Sequence, residues 1–115
     1  MRQLGALLLF GIVLVPVSAS ALTATWKNNT ESDMKEYAVY MCKVKGCTVV
    51  REAAQQVAVV PFNAAVVPTW VLSNVIEGTL AVTARDTSGN ESELSNQVPF
   101  DTQAPKAPTG ALVTK

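Results

Sequence analysis

From Leu80 to Ser92 the chain reads Leu-Ala-Val-Thr-Ala-Arg-Asp-Thr-Ser-Gly-Asn-Glu-Ser, and Glu-Leu-Ser-Asn-Gln-Val-Pro-Phe carries it on to Phe100. Two alternating stretches flank the polar Ser88-Gly89-Asn90 turn, which is the pattern of a β-hairpin. Successive side chains on a strand leave opposite faces, so Leu80, Val82 and Ala84 point one way. Val98 and Phe100 complete the returning strand.

The same period recurs upstream. Leu22, Ala24 and Trp26 share a face, as do Tyr37, Val39 and Met41, with Ala38, Tyr40 and Cys42 opposite. Trp70 and Leu72 point inward from a further alternating run over residues 70–75. Residues 53–68, rich in Ala, Gln and Val and broken by Pro61 and Pro68, suit an edge strand or a loop. Glu77-Gly78-Thr79 reads as a turn into the strand that begins at Leu80. Short strands, frequent turn signals and no helical period predict an all-β fold, an antiparallel β-sandwich. Its predicted core is Trp26, Tyr37, Val39, Trp70, Leu72, Leu80, Val82, Val98 and Phe100.

A length of 115 residues gives room for one domain. Nine basic and nine acidic residues cancel without clustering, so nothing marks a surface for nucleic acid or an anionic membrane. The N-terminus reads as a targeting segment. Met1-Arg2-Gln3 is a short positive region, Leu4 to Val15 is apolar, and Pro16-Val17-Ser18 precedes the small-x-small site Ala19-Ser20-Ala21. The apolar run falls short of the ~20 residues of a spanning helix. A signal peptide over residues 1–21 is expected, with cleavage exposing Leu22 and a secreted (periplasmic or extracellular) product. If the segment were retained, the chain would instead be tethered to a membrane.

Export gives the two cysteines a meaning, because exported proteins meet oxidising conditions. Cys42 and Cys47 flank Lys43-Val44-Lys45-Gly46 between two strand-like runs, the second being residues 48–52. Paired hairpin positions bring Cβ atoms within disulfide range, so a Cys42–Cys47 bridge is expected. Two thiolates without histidine leave zinc short of four ligands, and the C-x-x-C redox spacing is absent.

Several of these stretches resemble, in order, the strands of a fibronectin type III (immunoglobulin-like) domain. Trp26 closes a Leu-x-x-x-Trp segment like strand B, and Glu36-Tyr37-Ala38-Val39-Tyr40 is similar to strand C. Residues 70–75 are similar to strand E, and residues 82–92 closely resemble strand F and the F–G turn. The likeness spans residues 22–100 and implies a non-enzymatic binding or structural module. Two departures matter. No tyrosine stands near the start of strand F to tie the E–F corner, and the expected cleavage site abuts strand B, leaving no strand A.

The missing strand has a possible substitute at the other end. Residues 101–115 form a Pro-rich tail resembling an interdomain linker followed by a strand A, with Ala104, Pro105, Pro108, Gly110, Leu112 and Val113 as its candidate contacts. An edge left bare at Leu22, Ala24 and Trp26 is a template for an added strand. Return to the same domain would cross roughly 25–30 Å of sandwich, and residues 101–108 span at most ~28 Å. Donation to a neighbouring copy would then give a head-to-tail homo-oligomer or filament. A disordered linker and self-completion are the competing readings.

Other features carry less. Without histidine, a Ser-His-Asp or Cys-His constellation is impossible, and Glu91 and Glu93 sit on an exposed turn; no enzyme, cofactor or metal site is expected. Asp86-x-Ser88-x-Asn90 lacks the acidic density of a calcium loop. Trp26 and Trp70 would suit a carbohydrate- or surface-binding accessory module only if exposed. Asn28 and Asn90 open glycosylation sequons. The expected function is therefore that of an exported structural or interaction module whose partner is protein.

Overall fold

Period-two alternation becomes seven strands among the residues that the computed structural model describes, 12–18, 21–73 and 75–115. They are β1 (Ile12–Ser18), β2 (Ala21–Trp26), β3 (Met34–Cys42), β4 (Gln56–Pro61), β5 (Thr69–Leu72), β6 (Glu77–Asp86) and β7 (Val98–Asp101). A 3-10 turn, Ala53–Gln55, leads into β4, and no α-helix occurs among the described residues. One sheet has the order β1-β2-β5 and the other β4-β3-β6-β7, with every pairing antiparallel. The protein is an all-β, two-sheet structure of sandwich form. As expected, the Pro-interrupted segment supplies only an edge strand, β4.

The inward faces meet as the alternation requires. Trp26, Tyr37, Val39, Leu72, Leu80, Val82 and Phe100 are buried in one cluster, and half-buried Trp70 and Val98 pack against it. Each large apolar side chain so buried contributes roughly 1.5–3 kcal/mol. Trp26 meets Tyr37 edge to face at 5.5 Å between ring centroids, a geometry the ring quadrupoles favour. The Tyr37 hydroxyl donates to Asn28 Oδ1 at 2.9 Å and accepts from the Asn29 amide at 2.8 Å, fastening the loop after β2.

Four expectations need correction. The first concerns where the sandwich begins. With residues 1–21 attached it starts at Ile12 rather than Leu22, because β1 pairs with β2 in the register Ile12↔Trp26, Leu14↔Ala24 and Pro16↔Leu22. Ile12 is buried and Leu14 packs on the core, so in the chain that carries β1 the Leu22, Ala24 and Trp26 stripe is covered, not bare. The cause is the β-branched content of the apolar run, Ile12, Val13 and Val15, which suits a strand as well as an export signal. The positive region, most of the apolar run and the Ala19-Ser20 part of the cleavage site lie outside the described residues.

Second, Gly78 is no turn. It lies inside β6, opposite Phe100, where the chain passes too close to β3 for any side chain. Third, residues 48–52 form no strand. They fold over the outer face of the four-stranded sheet, where Val49 is buried with Ala38, Tyr40 and Ala81. Strands β3 and β6 are thus buried on both faces.

Fourth, the returning limb of the hairpin becomes regular only at Val98. Over residues 91–97 serine side chains replace part of the ladder: the Val82 amide donates to Ser95 Oγ and the Ala84 amide to Ser92 Oγ, both at 2.9 Å. The backbone amides of Ser95 and Ser92 return bonds to the Val82 and Ala84 carbonyls. The Gln97 amide completes the cover by bonding the Val49 amide and carbonyl, each at 2.8 Å.

Candidate functional site

Among the described residues two places gather polar or unpartnered groups. One is a polar cluster on the outer face of the four-stranded sheet. Arg85 of β6 reaches across β3, donating to Glu36 Oε2 at 3.0 Å and Gln56 Oε1 at 2.6 Å, and it pairs with Glu91 at 3.6 Å. Glu91 also accepts from the Tyr40 hydroxyl and, at 2.6 Å, from Thr83. Arg51 caps the cluster by donating to the Glu91 and Ser92 carbonyls.

The electrostatics make this a clamp. Burial pushes the Glu91 carboxyl up, but hydrogen bonds from Thr83 and Tyr40 and the Arg85 and Arg51 charges outweigh it and hold it low. Burial, then the Glu91 hydrogen bond, push Tyr40 above its ordinary value, against the lowering influence of Arg85. Burial would lower Arg85, but its bonds to Glu36 and Tyr40 and the Glu91 charge raise it instead. Near neutrality the cluster is therefore a fixed carboxylate, a neutral phenol and a fixed cation. Sequence reading placed Glu91 on an exposed turn; it is half-buried, a difference set by the long-range partners Tyr40 and Arg85.

The second place is the β1 seat together with the tail. Along β2 the seat presents Leu22, Ala24 and Trp26 to whatever strand lies beside it, and β1 fills it with Ile12 and Leu14 inward and Val13 outward. Trp26 is 4% exposed and its indole Nε1 is buried without a hydrogen-bond partner. At the opposite end of the chain, Ala104, Pro105, Pro108, Gly110, Leu112 and Val113 are all exposed, and none joins either sheet. Leu112 is 76% and Val113 99% exposed.

Thr102 marks where sandwich ends and tail begins. Its hydroxyl bonds the Val75 and Ile76 carbonyls at 2.8 and 3.0 Å, and its amide bonds Ile76 at 2.7 Å. This threonine holds the β5–β6 corner, for which no tyrosine is available. The Cys42–Cys47 disulfide forms, with Cα atoms 6.3 Å apart, at the end of β3. Nothing local in the sequence marks Thr102 for that role.

The remaining motifs resolve into structure. Asp86 is buried, and its carboxylate accepts from the Ser88 and Asn90 amides at 3.0 and 2.9 Å and from Asn90 Nδ2 at 3.0 Å. Gly89, at φ 88°, supplies the left-handed residue of that turn. Asn28 Nδ2 is likewise engaged, by the Asn63 and Val66 carbonyls at 3.0 and 2.8 Å, so both sequon amides are used in the fold. Among the described residues no three acidic or cysteine side chains gather as a metal site would require, and no helix is long and apolar enough to cross a membrane.

An all-β two-sheet domain with a stapled strand end and a free tail is thus the class that the geometry defines. No protein-family model and no curated protein matches the chain. Among solved structures it is similar to part of the spore cortex lytic enzyme SleM of Clostridium perfringens, with 16% identity and a TM-score of 0.56. The match covers 80% of this chain and 27% of SleM, so the chain spans about a quarter of that enzyme's length, and the likeness concerns the fold alone.

Proposed function

We propose that the chain is an exported, non-enzymatic sandwich of the fibronectin type III (immunoglobulin-like) kind, acting as a structural subunit joined to neighbours through residues 104–115. Constant-type immunoglobulin sandwiches place strands A, B, E and D in one sheet and C, F and G in the other, and β4 departs from that scheme by pairing with β3. The partition here supports the same lettering: β1, β2 and β5 lie together, as do β3, β6 and β7. The single observation that carries the assembly reading is the tail. After Thr102 has closed the corner, residues 103–115 are all exposed, and Leu112 and Val113 are uncovered. A carbohydrate-binding role needs exposed aromatic rings, and buried Trp26 with half-buried Trp70 gives it no support.

The test is export of the full chain from a secreting host, followed by the mass of the product and its mass in solution. Cleavage after Ala21 and oligomers that vanish on truncation after Gln103 are expected. That truncation spares the Thr102 contacts at the β5–β6 corner. Monomers with a protease-sensitive tail would overturn the reading.

A further inference from the structure

We infer that the β1 seat is a strand-exchange site: residues 12–18 fill it only in the uncleaved chain, and residues 110–114 of a second copy replace them. The inference rests on the export and assembly reading above and names the contact through which assembly occurs.

Cleavage after Ala21 would cut β1 away from β2, removing Ile12 and Leu14 from the core and baring Leu22, Ala24 and Trp26. An apolar stripe beside unpaired backbone groups recruits another strand. The tail holds a segment of matching phase. Aligned with Ile12-Val-Leu-Val-Pro16, Gly110-Ala-Leu-Val-Thr114 sets Leu112 where Leu14 lies, opposite Ala24, and Val113 where Val15 lies. Gly110 then faces Trp26 and Thr114 faces Leu22, while Ala111 and Val113 point outward as Val13 does. A slip of one residue in one direction would bury Lys115 opposite Leu22, and a slip in the other would turn Leu112, the largest side chain of the segment, outward and leave Thr109, Ala111 and Val113 facing in.

Reach decides between the chain's own tail and a neighbour's. Trp26 packs on Tyr37, which pairs with Ala84, whereas the chain leaves the sandwich at Asp101, which pairs with Glu77. Strand rise puts the mouth of the seat roughly 23 Å from that exit. Thr102 is pinned at the corner, and residues 103–109 stretch to about 25 Å. The chain would arrive fully extended with no residues left to turn back antiparallel to β2. A neighbour stacked end to end brings its Asp101 pole to this chain's Trp26 pole, and the same linker then suffices. The contact is heterologous and propagates.

The experiment uses the exported, cleaved chain. Leu112→Asp places an unpaired carboxylate in the seat and should weaken association by on the order of a hundredfold or more, while Ala111→Asp, pointing outward, should leave the oligomers intact. A synthetic peptide of residues 108–115 added to the Leu112→Asp protein should raise its melting temperature and slow hydrogen exchange on β2. The same peptide with Leu112→Asp should do neither. If truncation after Gln103 abolishes oligomers but Leu112→Asp does not, assembly through the tail survives and the exchange site is overturned. A peptide that fails to protect β2, or tail protection that is independent of protein concentration, overturns it as well. Monomeric wild-type protein overturns both this inference and the assembly reading.

Discussion

Replacing Gly78 by alanine should destabilise the sandwich more than any other single methyl addition at a described glycine. A Cβ at this position would overlap the Cys42 carbonyl oxygen and lie 3.1 Å from both the Cys42 carbonyl carbon and the Lys43 Cα. All three are backbone atoms, so no rotamer relieves the clash; β6 must move away from β3. That movement is resisted on two sides, because Cys42 is held by its disulfide and Gly78 pairs with Phe100 on β7. Overpacking of this kind costs typically 1–3 kcal/mol, and a backbone clash belongs at the top of that span, about 3 kcal/mol. For a domain of this size each kcal/mol shifts the melting temperature by about 4–8 °C, so a fall of roughly 12–24 °C follows. Circular dichroism melts of the oxidised protein would measure it. Gly89→Ala is the control: nothing lies within 4 Å of its added methyl, and only the left-handed φ opposes it, which costs roughly 1–2 kcal/mol. Removing the disulfide should shrink the Gly78→Ala penalty, since the Cys42 peptide is then freer to yield. A Gly78→Ala protein that melts within a few degrees of wild type would refute the close approach of the two strands.

Three further outcomes follow from the same contacts. Glu91 is held below the ordinary carboxylate range, so its contribution is present above the unfolded glutamate value, about 4.3, and is lost as pH falls through its lower folded value. Acid titration of stability should therefore be less steep in Glu91→Gln, which at neutral pH should lose about 1–2 kcal/mol of charge-assisted hydrogen bonding. Reducing Cys42–Cys47, which closes a loop of sequence separation 5, should cost about 2 kcal/mol in guanidinium unfolding on the chain-entropy account. Thr102→Val keeps the shape but removes the hydroxyl from the Val75 and Ile76 carbonyls, with an expected loss of about 1 kcal/mol and faster hydrogen exchange around the β5–β6 corner.

What could be read from the sequence was what depends on neighbours along the chain. Alternation gave the facing of Tyr37, Val39, Leu72, Leu80 and Val82, and the spacing of Cys42 and Cys47 indicated their bridge. What could not be read depends on distant partners. Val49 is buried because Gln97, 48 residues later, holds its amide and carbonyl. Ser92 and Ser95 look like loop residues, and they are, but their hydroxyls accept the β6 amides that a regular strand would have engaged. Gly78 carried a correct signal with the wrong meaning, since glycine marks both a turn and a close approach of backbones.

The segment from Ile12 to Val15 poses the same ambiguity at a larger scale, because its apolar residues satisfy two incompatible destinations. As part of an export signal it must enter an apolar translocation path, and as β1 it must lie against Leu22, Ala24 and Trp26. It cannot do both at once. The β1–β2 pairing joins residues close in sequence, and hairpins of that kind close in about 1–10 μs. Insertion of a neighbour's tail is bimolecular, so in any chain that folds with its leader attached, β1 reaches the seat first. Exchange therefore requires that the leader be withdrawn or cut before β2 is paired, which is the order export imposes. On the proposed reading the two destinations never compete within one molecule: a chain that keeps its leader closes the seat with β1, and a chain that loses it before folding leaves the seat to a second copy.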